Sequence, residues 1–227
     1  MNRGVMDSEK VSSLLKEAAA ELGIILTEEH IHAFGLYLRE LREWGEHINL
    51  GRRADDREII LKDFIDSLTI LKYLPAGCSL ADLGSGAGFP GVPAKIVRPD
   101  LRVFLLETIR KKVLFLKNLE RVLGLNGIGI HRPGSRQEKG LENPREFDFV
   151  VSRAFGSLRK FCSAGDPLLR SGGILLAMKG RKGKAELEES LSFLEETGFQ
   201  PAFVDEIQLP LLGHMRTLIG LKKKESL

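Results

Sequence analysis

The chain has 227 residues, of which 43% are hydrophobic and 29% charged, and its formal net charge is +3. This composition excludes a disordered chain and a small disulfide-rich scaffold, and the length allows one sizeable core. Cys78 and Cys162 show neither CxxC spacing nor a histidine cluster, so we expect reduced packing residues and no metal site. No apolar run approaches the roughly 18 residues of a spanning helix, so we expect a cytoplasmic protein without a membrane segment.

The first 74 residues have the periodicity of amphipathic helices. Apolar residues recur at three- and four-residue spacing over residues 8–22, 27–47 and 57–74. Pro75 and Gly77 follow the third pattern and are expected to end it. We therefore predict an N-terminal helical extension over residues 1–74.

Residues 75–227 alternate between short apolar runs and helical patterns. The predicted strands cover residues 79–83, 102–106, 128–131, 147–152 and 173–178, and the predicted helices cover 92–97, 110–123, 158–170 and 184–196. Such alternation predicts parallel strands joined by right-handed crossovers. Two last runs, 202–208 and 215–221, are too close for a crossover helix and should pair antiparallel. The predicted fold is therefore α/β: a Rossmann-like doubly wound sheet, mostly parallel, with a C-terminal antiparallel hairpin.

A glycine loop ends the first predicted strand, with the sequence Asp82-Leu83-Gly84-Ser85-Gly86-Ala87-Gly88. Glycines allow a ligand to approach the backbone closely, and open α/β sheets bind ligands beyond the carboxyl ends of their strands. The acidic Asp82 would repel a pyrophosphate but suits the amino group or sulfonium side of S-adenosylmethionine. This favours a methyl donor.

The same loop also matches a dinucleotide fingerprint through Gly86, Gly88 and Gly91, which leaves a dinucleotide-dependent oxidoreductase as an alternative. Against it stand the charge of Asp82, the prolines in the following helix, and a terminal hairpin that does not complete a second mononucleotide-binding half.

Further candidate residues follow the other strands. Glu107 ends the second strand and suits the two ribose hydroxyls, although it also suits a helix N-terminus. The turn at 135–138 is placed to hold adenine, or is simply a solvated turn. Arg153 and Lys179 follow the fourth and fifth strands and suit a carboxylate and a phosphate, respectively; the alternative is pairing with a nearby acid such as Asp148.

The two parts of the chain carry charges of opposite sign. Residues 1–74 hold ten Lys and Arg against fourteen Asp and Glu, for a charge of −4, and the remainder holds 24 against 17, for +7. A basic α/β part suits a nucleic-acid substrate, because phosphate contacts come from Lys and Arg; solvated surface charge explains the asymmetry equally well. The runs Arg181-Lys182-Gly183-Lys184 and Lys222-Lys223-Lys224 are candidates for contact with an RNA backbone.

From about Trp44 to Lys222 the chain resembles the bacterial small-subunit (16S) ribosomal RNA guanine-N7 methyltransferases, also called glucose-inhibited division protein B. The resemblance is carried by Asn49-Leu50, Asp66-Ser67, the glycine loop continued as Phe89-Pro90-Gly91-Val92-Pro93, Val151-Ser152-Arg153-Ala154-Phe155 and Met178-Lys179-Gly180. It implies a class I methyltransferase fold, S-adenosylmethionine as donor and N7 of one guanine as acceptor.

The resemblance also implies roles for individual residues. It implies that Gly84, Phe89, the pair Gln137-Glu138 and Arg153 surround the cofactor. It implies that Asn49, Lys179 and Arg216 lie nearer the RNA. The partners implied are ribosomal RNA or the small ribosomal subunit, and we expect a monomer.

Three positions depart from the family pattern. Asp63 stands where members usually have His, Gly51 where they usually have Thr, and Glu107 where Asp is commoner. The first two departures weaken the expectation that residues near 51 and 63 contact RNA.

The chemistry implied for the acceptor requires no general base. Guanine N7 has a free lone pair and no proton, and the five histidines form no Ser-His-Asp pattern. The enzyme would then act by holding base and methyl group in line. An RNA-binding assembly protein with a degenerate methyltransferase fold is the remaining alternative, and the intact glycine loop with Glu107 argues against it.

Overall fold

The computed structural model describes residues 4–51, 55–133 and 146–224. Its first two helices are α1 (Ser8–Glu21) and α2 (Glu28–Gly45), which confirm the first two helical patterns. Asp7 and Thr27 cap them by accepting hydrogen bonds from backbone N–H groups three residues on. Both helices contribute to the same apolar core as the sheet, while the proposed domain boundary after residue 74 stays a prediction.

The third predicted helix is wrong in its continuity. Residues 57–74 do not form one α-helix; the segment contains α3 (Asp56–Ile59), a π-helical turn (Ile60–Ile65), α4 (Asp66–Leu68) and a 3-10 turn (Leu71–Tyr73). Two side chains donate hydrogen bonds to backbone carbonyls within this segment. Ser67 Oγ donates to Asp63 O at 2.5 Å, and Thr69 Oγ1 donates to Asp66 O at 2.6 Å. These side-chain hydrogen bonds compete with regular backbone hydrogen bonding in a helix. The spacing of apolar residues does not reveal them.

A seven-stranded sheet forms the centre of the molecule, in the order β3-β2-β1-β4-β5-β7-β6. Its strands are β1 (Ser79–Leu83), β2 (Arg102–Leu106), β3 (Ile128–His131), β4 (Phe147–Arg153), β5 (Leu169–Lys179), β6 (Phe199–Gln208) and β7 (Met215–Lys223). β1 to β5 pair in parallel, and β7 pairs antiparallel with both β5 and β6. The predicted doubly wound sheet with a C-terminal antiparallel hairpin is confirmed.

Four more helices cover the sheet: α5 (Gly91–Val97), α6 (Arg110–Leu123), α7 (Leu158–Gly165) and α8 (Gly183–Glu196). The helix predicted over residues 158–170 is too long, because α7 ends at Gly165 and a 3-10 turn (Asp166–Leu168) contains Pro167. Proline cannot donate a helical hydrogen bond. β5 consequently begins at Leu169, four residues earlier than predicted.

The helices lie in two layers with separate cores. α5 and α6 pack on one face of the sheet, and α7 and α8 pack on the other. α2 packs on α5 and α6, and α1 packs on α2, within the first of these cores. Cys78 and Cys162 are buried as free thiols, one in each core. With both faces covered, the carboxyl ends of β1, β2, β4 and β5 share one edge that is left for a ligand.

The contact between β7 and β6 tests the packing of the hairpin. A Cβ atom added at Gly220 would overlap the Phe203 ring, which in turn stacks on Tyr73 at 4.1 Å between ring centroids. We expect Gly220→Ala to lower the free energy of unfolding by about 1–3 kcal/mol, because the ring must shift. Gly35→Ala, inside α2 with open space around its Cβ, should raise it by up to about 1 kcal/mol. Urea denaturation measures both free energies of unfolding. Equal changes in the two variants would contradict the close contact between Gly220 and Phe203.

Candidate cofactor and substrate site

The glycine loop connects β1 to α5 and contains three residues with left-handed backbone. Gly84, Gly86 and Gly88 have φ angles of 74°, 60° and 99°. A Cβ at Gly84 would lie 2.9 Å from Phe155, and one at Gly88 would lie 2.8 Å from the Tyr37 hydroxyl. Gly86 differs, because the nearest atom to its Cβ would be Gly84 O at 3.9 Å. Two of the glycines are therefore required by packing, whereas Gly86 leaves space open.

Asp82 is fully buried at the start of this loop. Its Oδ2 accepts a hydrogen bond from Gly91 N at 2.8 Å, which fixes the beginning of α5. Burial raises the pKa of Asp82 to about 7, against the opposing effects of that hydrogen bond and of Arg153. Within the described ranges, Asp82 Oδ1 and Ser85 Oγ are the buried side-chain oxygens without a hydrogen-bond partner. A cation near the loop would stabilise the charged form of Asp82.

Glu107 closes the other side of the loop and is also buried. Its Oε2 accepts from Gly86 N at 2.9 Å, and its Oε1 accepts from Ile109 N at 2.8 Å. Glu107 thus fixes both the glycine loop and the start of α6. An ionised carboxylate has about four acceptor positions, so capacity for further hydrogen bonds remains.

A cavity of about 340 Å³ lies above the glycine loop at the carboxyl edge of the sheet. Its lining includes Asn49, Gly51, Gly84, Ser85, Gly86, Phe89, Lys112, Arg153 and Ala154. Gly84, Gly86, Phe89 and Arg153, all predicted cofactor residues, therefore meet at this cavity, and Asn49 lies at its rim. Phe89 is a buried core residue stacked on Tyr37, not an exposed ring available to an RNA base. The turn at 135–138, with Gln137 and Glu138, lies outside the described residues.

Arg153 is held by acids of the N-terminal segment. Its Nη2 donates to Asp63 Oδ1 at 2.7 Å, and its Nη1 donates to Lys62 O at 2.7 Å and to Asp66 Oδ2 at 3.3 Å. The guanidinium also lies 4.9 Å from the centre of the Phe89 ring. Asp148, the acid suggested from the sequence, pairs instead with Arg170 at 2.5 Å.

Arg216 is held by the same carboxylate. Its Nε and Nη2 donate to the two oxygens of Asp66 at 2.6 and 2.5 Å. Asp66 has no solvent exposure, and the side chains of Arg153 and Arg216 are 14% and 19% exposed. We call Asp63, Asp66, Arg153 and Arg216 the arginine–aspartate cluster. Its four formal charges sum to zero.

Lys179 is likewise paired. Its Nζ donates to Gly156 O at 2.6 Å and to Glu186 Oε1 at 2.9 Å. With Arg153 and Arg216 it lines a second cavity, of about 470 Å³, beside the first. Asn49 is exposed, and its side chain accepts from Gly51 N at 3.1 Å. Gly51 has a φ angle of 100°, in the left-handed region that favours glycine.

Tyr37, Asp66 and Lys112 belong to the site although no role is predicted for them from the sequence; Lys112 lines the cavity above the glycine loop. The Tyr37 hydroxyl, on α2, donates to Ala87 O beneath the glycine loop, but Tyr37 was indistinguishable from the apolar residues of its helix. Asp66 was noted as part of a family motif and given no role. Its acidic character inside an apolar helical pattern was the available signal.

The arginine–aspartate cluster can be tested through stability. We expect Asp66→Ala to lower the free energy of unfolding by about 3–5 kcal/mol, because two mostly buried guanidinium groups lose their carboxylate. Lys16→Ala, which breaks the exposed pair with Glu28, should change it by less than about 1 kcal/mol. Equilibrium denaturation in urea compares them. If Asp66→Ala also lowers the free energy of unfolding by less than about 1 kcal/mol, the cluster does not hold the N-terminal segment to the sheet.

Similarity to known proteins identifies the family. A family model described as rRNA small subunit methyltransferase G matches residues 30–212. A Geotalea uraniireducens protein named ribosomal RNA small subunit methyltransferase G is 39% identical, covering 95% of this chain and 98% of its own. A protein of the same name from Geobacter metallireducens is 40% identical, with coverages of 96% and 99%.

Solved structures agree on the fold. An Aquifex aeolicus SAM-dependent methyltransferase superposes with a TM-score of 0.54 at 20% identity, covering 74% of this chain and 93% of that one. M. jannaschii TYW2 in complex with AdoMet gives 0.55 at 15% identity, with coverages of 71% and 76%. No helix in the described part of the chain is long and apolar enough to cross a membrane. The predicted fold class, methyltransferase activity and S-adenosylmethionine cofactor are confirmed. The chain belongs to the rRNA small subunit methyltransferase G family.

Proposed function

We propose that this chain transfers the methyl group of S-adenosylmethionine to N7 of one guanine in small-subunit (16S) ribosomal RNA. Family membership supports the substrate, since relatives covering nearly the whole chain are named ribosomal RNA small subunit methyltransferase G. The observation that carries the proposal is the cavity above the glycine loop, where Gly86 leaves open space at the carboxyl ends of the strands. We further propose a cytoplasmic monomer that takes ribosomal RNA or the small subunit as its substrate.

The residues around this cavity fit the methyl donor. S-adenosylmethionine, when bound, supplies a methyl group on a positively charged sulfur. Asp82, with its unpartnered buried Oδ1, supplies negative charge for the amino group. Glu107 has acceptor capacity for ribose hydroxyls, and Arg153 has donors for a carboxylate. Gly86 keeps the backbone accessible.

The enzyme's part in the transfer step is to hold the acceptor base. Guanine N7 attacks with its own lone pair, so no residue must take a proton. We assign the second cavity, with Lys179 and Arg216, to the RNA side, and Asn49 to the rim of the first cavity. Rigid strand ends then supply proximity and orientation.

Gly86 provides a test of the donor site with a matched control. We expect Gly86→Ala to weaken S-adenosylhomocysteine binding at least tenfold, because the methyl group projects into open space that the ligand needs. Gly124→Ala has the same φ of 60°, also with open space, at the end of α6. It should carry similar backbone strain while retaining affinity. Calorimetric titration measures the affinity of both variants for S-adenosylhomocysteine. Equal affinities would contradict a donor site at Gly86. S-adenosylhomocysteine, and not NADH, should raise the melting temperature of the unaltered protein.

The acceptor atom is tested by product and by pH. Small subunits from cells lacking this enzyme should yield N7-methylguanosine at one position of the 16S RNA after incubation with labelled donor. At saturating donor and RNA, the single-turnover rate should be nearly constant between about pH 6 and about pH 9, because no proton is removed. Saturation matters because the titration of Asp82 affects donor binding. A tenfold rise in rate per pH unit would instead indicate attack by a group that loses a proton.

A further inference from the structure

The first turn of α6 carries three successive cations, Arg110, Lys111 and Lys112, which we call the basic turn. Arg110 and Lys111 are exposed, and Lys112 is half-buried. No acid lies in this turn. The N-terminus of a helix has a partial positive charge, so cations are unfavourable there. The basic turn therefore costs stability, which suggests a role outside folding.

The basic turn also differs from most other cations near the site. Arg181 and Lys182 likewise form no ion pair among the described residues, but they do not line the cavity above the glycine loop. Lys62, Lys179, Arg153 and Arg216 each pair with a carboxylate, and so does Lys184 of the run at 181–184. In the described parts of the chain, the three cations of the basic turn form no ion pair. A cation already paired with a carboxylate must give up that partner before it can neutralise a phosphate. The unpaired charges of the basic turn bind phosphate without that loss.

The surroundings of the basic turn suit a nucleic acid. Ile109 and Leu114 flank it, and each is 50% exposed. These aliphatic side chains provide van der Waals contact area for a sugar or base next to the phosphate contacts. Lys112 lines the cavity above the glycine loop, so the basic turn reaches the rim of the transfer site.

We propose that the basic turn is an RNA-docking surface, which binds backbone phosphates of the strand that carries the target guanine. The inference rests on the proposed function and deepens it, because it specifies where the RNA outside the target base is held. It assigns the salt-dependent part of RNA affinity to α6 more than to Lys179 and Arg216. These two residues, held by their acids, then orient the target.

The test removes two cations while leaving the cavity intact. The double variant Arg110→Gln/Lys111→Gln retains Lys112. The matched control, Arg102→Gln/Arg121→Gln, removes two exposed cations away from the cavity, at the start of β2 and in the last turn of α6. Both variants therefore change the net charge equally. Binding to purified 16S ribosomal RNA is measured across about 50 to 200 mM salt, with methylation of small subunits measured in parallel.

We expect the basic-turn variant to lose about tenfold in RNA affinity at about 150 mM salt, and the slope of log affinity against log salt to fall by about 1.5. Affinity for S-adenosylhomocysteine should not change, and the melting temperature should stay equal or rise. The control should keep the affinity and slope of the unaltered protein. Equal losses in both variants, or no loss in either, would overturn the docking surface. Failure of the unaltered protein to methylate 16S RNA would count against the proposed function, whereas the binding comparison tests the docking surface independently.

Discussion

The carboxylate of Asp66 is the contact on which the arrangement of the site depends. It lies in the N-terminal segment, without solvent exposure, and binds guanidinium groups 87 and 150 residues further along the chain. One of these arginines ends β4 and the other lies near the start of β7. The helical segment, the parallel sheet and the hairpin are therefore joined at the carboxyl edge, directly beside the cavities. A charge buried this deeply requires its partners, so the three parts are held in one relative position.

A second connection joins the N-terminal helices to the glycine loop. Tyr37 on α2 donates to Ala87 O and packs against Gly88, while its ring stacks on Phe89 at 5.4 Å between centroids. The loop is thus supported from below by a residue outside the α/β part. Glu107 holds the loop from the side through Gly86 N. The open space at Gly86 exists because the residues around it are fixed, which is the pre-organisation that a methyl-transfer site requires.

Local pattern was sufficient to predict most of the fold and part of the site. Strand and helix periods depend on neighbours in sequence, and the predicted strands and most of the helices match the structure. The glycine loop and Glu107 lie together at the carboxyl edge, while their roles toward the donor stay predictions. The apolar pattern does not predict the π-helical turn. There, Ser67 and Arg153 donate side-chain hydrogen bonds to backbone carbonyls, and the spacing of apolar residues carries no information about such bonds. The partners of Arg153 and Arg216 were missed for the same reason: an ion pair across 87 or 150 residues is set by the fold. Net charge over a segment likewise does not reveal which cations are already neutralised.

Asp63 affects how much positive charge the cleft offers to an RNA substrate. Asp63 and Asp66 together neutralise Arg153 and Arg216, so the arginine–aspartate cluster has no net charge. An uncharged side chain at position 63 would leave the cluster with one net positive charge. Asp63 therefore removes one positive charge from the centre of the cleft. The proposed docking surface accordingly assigns the attraction for the RNA backbone to cations without carboxylate partners, namely Arg110, Lys111 and Lys112 at the cavity rim.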